Sequence, residues 1–188
     1  MALSSRFEKV NLILIIIIAV MGLEIVYLMY QNQKLKAVIE DPKRLFKTLS
    51  EDDIVPSFNG FDINDNEIVV RYGPDSPHTL LCWFSPGCSS CLDNLAFWND
   101  LHEQYASDNV RFLGMCAGHP DETREFVAEH GIGFPVLCAD DPFFVDTYKG
   151  NVLPQTVLLS PNGTIIGVWP GALETGREKI ITELLAEL

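Results

Sequence analysis

The sequence predicts an α/β fold: a mixed central β-sheet flanked by helices, preceded by one N-terminal transmembrane helix. Three observations carry this expectation. Between residues 78 and 150, continuous apolar runs of strand length alternate with segments of helical period, the pattern of strands covered by helices on both faces. Two further apolar runs, QTVLLS and TIIGVWP, flank Pro161-Asn162-Gly163, a hairpin signature. Finally, residues 10–30 read VNLILIIIIAVMGLEIVYLMY, about 20 residues and so roughly 30 Å as a helix, the thickness of a bilayer core.

The N-terminal run reads as a retained anchor. A cleaved signal sequence has a shorter apolar stretch that closes on an A-x-A site. Here the stretch is long, no such site closes it, and no cysteine follows for lipid attachment. The expected organisation is a cytoplasmic stub at 1–9, a membrane span at 10–30, a linker at 31–50 and a folded domain at 51–188. Glu24 lies near the second end of the span, where a carboxylate reaches the interface or stays protonated. Orientation pulls two ways. Arg6 and Lys9 precede the span while Lys34, Lys36, Lys43, Arg44 and Lys47 follow it. The positive-inside count thus points the domain toward the cytoplasm, although long domains are translocated largely regardless of charge. The linker continues the helix in polar form, breaks at Asp41-Pro42, and resumes as a short amphipathic segment with Leu45, Phe46 and Leu49 on one side. It carries no identifiable chemistry.

From residue 48 onward six Lys/Arg stand against 22 Asp/Glu, a net charge of about −16. Such a surface repels phosphate backbones and anionic headgroups, which excludes nucleic acid as a partner. No internal repeat or low-complexity tract interrupts the domain.

Within the domain, PSFNGFDINDNEIVV (56–70) is expected to fold as a hairpin around Asn64–Asn66. HTLLCWFS (78–85) is expected as a central strand. Residues 89–106 place Cys91, Leu95, Trp98, Leu101 and Tyr105 on one helix face. VRFLGMC (110–116) follows as a strand, DETREFVAEHG (121–131) as a helix closed by Gly131, FPVLCA (134–139) as a strand and DPFFVDTYKG (141–150) as a short helix. After the final hairpin comes a helix whose expected buried stripe is Ile180, Ile181, Leu184, Leu185 and Leu188.

The stretch SPGCSSC (85–91) sits where the central strand gives way to a helix. A disulfide-exchange pair, a metal clip and a peroxide-reacting thiol all suit such a place. The helical period puts Cys91 at the head of the buried stripe and Cys88 in the first turn, facing outward. Unpaired N–H groups and the positive end of the helix dipole gather there and stabilise a thiolate, each pK unit of depression being worth ~1.4 kcal/mol. One activated, exposed thiol with a buried thiol one turn later suits disulfide exchange, in which the first attacks and the second resolves the mixed disulfide.

PSF (56–58), LLCWFSPGCSSC (80–91), LPQTVLLSPNGTIIG (153–167) and the closing helix give residues 51–188 their resemblance to a family. They resemble the thioredoxin-like redoxins of the TlpA/ResA type, membrane-anchored thiol–disulfide oxidoreductases of the AhpC/TSA superfamily. FSPGCSSC is also similar to a segment of the membrane-anchored accessory protein of methylamine utilisation. The resemblance implies a thioredoxin-like fold that needs neither cofactor nor metal. It implies a redox-active Cys88–Cys91 disulfide with Cys88 as nucleophile and Cys91 as resolving thiol. Pro154 becomes a cis-proline facing them, and with Leu153 and Pro86 it forms the implied substrate-binding surface. The implied partners are thiol- or disulfide-containing proteins, and a membrane or soluble redox partner that resets the pair. Because disulfides persist outside the cytoplasm, a domain of this kind is expected there, opposite to the charge count.

Several positions depart from the family's pattern. Ser89-Ser90 separates the cysteines, Gly87 stands where thioredoxins have tryptophan, Cys82 stands where they have a buried aspartate, and Asn94 occupies a position where some relatives carry glutamate. The proton acceptor for Cys91 and the direction of exchange are therefore left open. Two other readings stay beside the first: a peroxiredoxin-like peroxidase, with Ser85 where that family has threonine and no clear match to its partner arginine, and a Cu(I)-binding module with the metal between the two thiolates. Cys82 reads as a small core residue. Cys116 and Cys138 each end a strand, and if those strands are parallel neighbours the two could form a second disulfide at the side of the sheet where Cys88 emerges. His78, His102, His119 and His130 are expected at the surface or at helix ends, and no second CxxC stands at zinc spacing.

Overall fold

Each apolar run of strand length named above for the folded domain contributes a strand in a computed structural model whose described residues are 17–32, 49–139, 141–150 and 152–188. The chain divides into two units, Met1–Phe46 and Lys47–Leu188. In the first, residues 17–32 form helix α1, with Leu23, Val26, Tyr27 and Leu28 among its exposed side chains. No described helix is long and apolar enough to cross a membrane. The expected span begins at Val10, and its first seven residues lie outside the described ones, as do Leu45 and Phe46 of the linker. Leu49, also assigned to the linker, is buried in the core of the second unit.

In the second unit β1 (Phe58–Phe61) and β2 (Glu67–Val70) pair antiparallel as a separate ribbon. Asp62 shapes the turn between them: its carboxylate accepts from the amides of Asn64 and Asn66 at 2.7 and 2.9 Å, the local bonding that makes aspartate a turn residue. The main sheet contains β3 (His78–Phe84), β4 (Val110–Cys116), β5 (Val136–Cys138), β6 (Gln155–Leu159) and β7 (Ile165–Pro170), in the order β5-β4-β3-β6-β7. β3, β4 and β5 are parallel, while β6 and β7 run antiparallel. The mixed sheet is thus as expected. Gly163, at φ 80°, closes the β6–β7 turn with its amide on the Ser160 carbonyl at 3.0 Å. A Cβ there would stand 2.7 Å from the Val55 carbonyl oxygen, so glycine is required twice over.

The helices are α2 (Leu92–Tyr105), α3 (Pro120–His130), α4 (Pro142–Thr147) and α5 (Thr175–Ala186). Strands β3 and β4 are buried almost throughout, as strands covered on both faces should be. One core contains Cys82, Phe84, Cys91, Leu95, Trp98 and Phe126, and a second, on Leu81, Trp83, Met115, Val157 and Tyr148, contains Val55, Phe58 and Phe144.

Two expectations need correction. The helix predicted to begin at residue 89 begins as a 3-10 turn, Ser89–Cys91, and becomes α-helical only at Leu92. In α5 only Ile181 and Leu185 are buried; Leu184 packs at the margin, Ile180 is 48% exposed, and Leu188, 39% exposed, lies past the end of the helix. α5 lays one narrow stripe on the core, so the five apolar positions read as a stripe from sequence span more of the helix than the sheet covers.

Candidate active site

The site forms where β3 ends. β3 is the middle strand of five, bonded to β4 on one side and β6 on the other, so the chain leaving Phe84 starts from a fixed point. The next residues turn tightly: the amide of Cys88 donates to the Ser85 carbonyl at 3.0 Å and that of Cys91 to the Cys88 carbonyl at 3.1 Å. This brings the cysteines together as a disulfide with Cα atoms 5.4 Å apart. Cys88, the residue that caps the 3-10 turn, is half-buried, and its Sγ lies 3.5 Å from Ser90 Oγ. Cys91 is wholly buried. The asymmetry expected from the helical period is present, one sulfur toward solvent and one in the core.

The segment before β6 lies alongside. The antiparallel register sets Gln155 opposite Trp83, which brings Pro154 level with Phe84 and Leu153 level with the start of the cysteine loop. The Leu153–Pro154 peptide is cis. Pro154 is buried, whereas Leu153 and Pro86 are half-buried. Leu92, directly after Cys91, is 44% exposed. Pro86 and Leu153 thus add half-buried apolar groups near a loop whose Ser90 hydroxyl stands against Cys88, and all five residues expected to form the site lie at one end of the sheet.

Asn94 is a residue whose role the sequence did not reveal. It is wholly buried one turn after Cys91, where its Oδ1 accepts from the Leu173 amide at 2.8 Å and its Nδ2 donates to the Gly171 carbonyl at 3.3 Å. The Gly171 amide in turn donates to the Pro154 carbonyl at 2.7 Å. Asn94 thus ties the first turn of α2 to the proline segment. In sequence it shows only as a departure from the family's pattern, with partners 77 and 79 residues away.

Cys82 is fully buried in β3, and burial pushes its thiol well above the ordinary range. It packs as a small core residue. His119 is exposed ahead of α3, His130 ends α3 against the Phe126 ring, and His102 packs half-buried between Phe112 and Phe134.

Comparison with known proteins agrees with this geometry. Residues 52–168 match the AhpC/TSA family. The thiol-disulfide oxidoreductase ResA of Bacillus subtilis is 23% identical over 68% of this chain and 71% of its own length. ResA of Halalkalibacterium halodurans is 25% identical over 52% of this chain, and this chain spans about half (54%) of that relative. Among solved structures, a thiol-disulfide oxidoreductase from Bacteroides fragilis superposes with a TM-score of 0.60 at 17% identity, over 70% of this chain and 99% of its own. That likeness is one of fold, and the fold is thioredoxin-like.

Proposed function

We propose, for a chain that belongs to the AhpC/TSA family, that it is a thiol–disulfide oxidoreductase exchanging disulfides with protein substrates through Cys88 and Cys91. The observation that carries this is the paired burial: a half-buried and a wholly buried cysteine joined at the carboxyl end of the central strand, at the same end of the sheet as the cis-proline segment. When the pair is reduced, the Cys88 thiolate lies at the head of a helical run, where N–H groups without helical partners stabilise negative charge. It attacks one sulfur of a substrate disulfide, forming a mixed disulfide and releasing the other substrate sulfur as a thiolate. Cys91 then attacks Cys88 Sγ, closing the Cys88–Cys91 bond and releasing the second substrate thiolate. The two protons of the cysteines end on the two substrate sulfurs. Run backward, the same steps oxidise a substrate dithiol, and a redox partner resets the pair.

Pro154, Leu153 and Pro86 supply the surface that receives the substrate chain. Two half-buried apolar groups and a buried cis-proline suit an extended peptide carrying a cysteine. The roles of the two cysteines are separable. Cys91→Ser is expected to accumulate mixed disulfides with substrate proteins, resolved on non-reducing gels and released by reductant, while Cys88→Ser accumulates none. Equal trapping by both variants would overturn the assignment.

Residues 10–30 are read as a membrane anchor, on the strength of about 20 apolar residues and the exposed apolar side chains of α1. The domain is placed outside the cytoplasm, where a disulfide exchanger meets disulfides that persist. Protease added to intact spheroplasts should then digest it. Protection until lysis would favour the orientation given by the charge count.

A further inference from the structure

A second pair of cysteines lies at the same end of the sheet. β4 and β5 run parallel with Cys116 in register with Cys138, and the Ala139 amide donates to the Cys116 carbonyl at 2.8 Å, so pairing holds one residue past Cys138. Neighbouring strands lie about 4.7–4.9 Å apart, inside the ~4.4–6.8 Å between Cα atoms that a disulfide spans. In-register residues of adjacent strands project from the same face of a sheet. Cys116 accordingly packs in the core that contains Cys91, with Cys138 and Cys88 both at its margin.

The two sulfurs differ in the same way as the first pair. Cys116 is wholly buried, its Sγ 3.2 Å from Thr123 Oγ1. Burial pushes its thiol up to about 12, against the Thr123 hydrogen bond and with the nearby Cys138 adding to the rise. Cys138, at the end of edge strand β5, is half-buried. The chain leaving Cys116 also reaches the first site. The Ala117 amide donates to the Phe84 carbonyl at 2.9 Å, and a Cβ on Gly118 would stand 2.9 Å from Pro86 Cδ, two residues before Cys88.

We propose that Cys116 and Cys138 form a second dithiol–disulfide couple that exchanges with low-molecular-weight disulfides, with Cys138 as the attacking thiol and Cys116 as the resolving one. The Cys138 thiolate attacks a disulfide R–S–S–R, giving a Cys138–S–S–R mixed disulfide and one R–S⁻. Cys116 loses its proton and attacks Cys138 Sγ, giving the Cys116–Cys138 bond and a second R–S⁻. The small disulfide gains two electrons, the two cysteines lose them, and their two protons leave on two RSH. The oxidised couple bridges β4 to the edge strand beside the segment that packs on Pro86. Its chemistry does not depend on Cys88–Cys91 being the exchange site.

The test is a thiol count on the full chain in detergent, equilibrated with excess oxidised glutathione, quenched in acid and denatured before titration. The chain has five cysteines. If both couples close, one thiol per chain is left, Cys82, and peptide mapping without reductant recovers a Cys116–Cys138 linked peptide. If Cys88–Cys91 alone closes, three are left and the proposal fails. The Cys88→Ser/Cys91→Ser variant isolates the second couple: its three cysteines should again fall to one thiol and return to three with reduced glutathione. Cys116→Ser should stop at a glutathione adduct on Cys138. An adduct on Cys138 in the unsubstituted chain with Cys116 still a thiol, or Cys138 linked to Cys88, would overturn the proposal, and the count on the unsubstituted chain needs no variant to fold.

Discussion

Cys88→Ser is expected to abolish turnover with protein disulfides, a loss on the order of 10³-fold or more, because a covalent nucleophile has no bypass. Serine at this position keeps the shape of the turn but offers an alcohol, whose ionisation lies far above any working pH. Cys88 is half-buried at the rim, so the substitution opens no core cavity. In the reduced state the fold should be nearly as stable as the parent. In the oxidised state the variant forgoes the constraint of a short loop, about 2 kcal/mol on the chain-entropy account. Insulin reduction coupled to a thiol reductant checks the rate, and urea unfolding of both proteins under reducing conditions checks the stability. Substantial residual turnover would show that Cys91 or another thiol attacks directly.

Trp98→Ala carries the largest expected cost to stability, about 3–5 kcal/mol from cavity formation. Trp98 is wholly buried, its ring tilted 6.4 Å from that of Phe84, and its Nε1 donates to Thr156 Oγ1 at 3.0 Å. Those contacts seat α2 on both β3, which leads into the cysteine loop, and β6, which follows Pro154. Alanine would also leave a buried hydroxyl without its donor, adding to the cost. Trp98→Phe separates the two effects: it keeps most of the volume, loses the bond, and is expected to cost about 1–3 kcal/mol. Denaturant titration of the three proteins measures both.

Much of the fold and part of the site could be read from sequence, for physical reasons that differ by element. HTLLCWF was legible as a central strand because a strand buried on both faces has no polar face to display, and β3 is buried from Thr79 to Phe84. The cysteine pair was legible because both its spacing and its place at a strand-to-helix junction are local. The parallel pairing of β4 and β5 followed from the strand–helix–strand order, which sets Cys116 and Cys138 at one end of the sheet. The stripe of α5 was overdrawn, because periodicity records which residues are apolar and not how wide a surface awaits them. Asn94 was visible only as a departure from a pattern. Its partners at Gly171 and Leu173 come from another part of the chain, and nothing local records them.

The proposed function stands on exchange of disulfides with proteins through Cys88 and Cys91. The most direct measurement mixes the reduced protein rapidly with an oxidised protein substrate or with hydrogen peroxide, and follows oxidation of the Cys88–Cys91 pair in each case. The pair is expected to close faster with the protein disulfide, through a mixed disulfide at Cys88 that acid quenching captures and Cys91→Ser prolongs. Faster closure with peroxide, through a sulfenic acid at Cys88 and without any mixed disulfide, would contradict it and make the protein a thiol peroxidase.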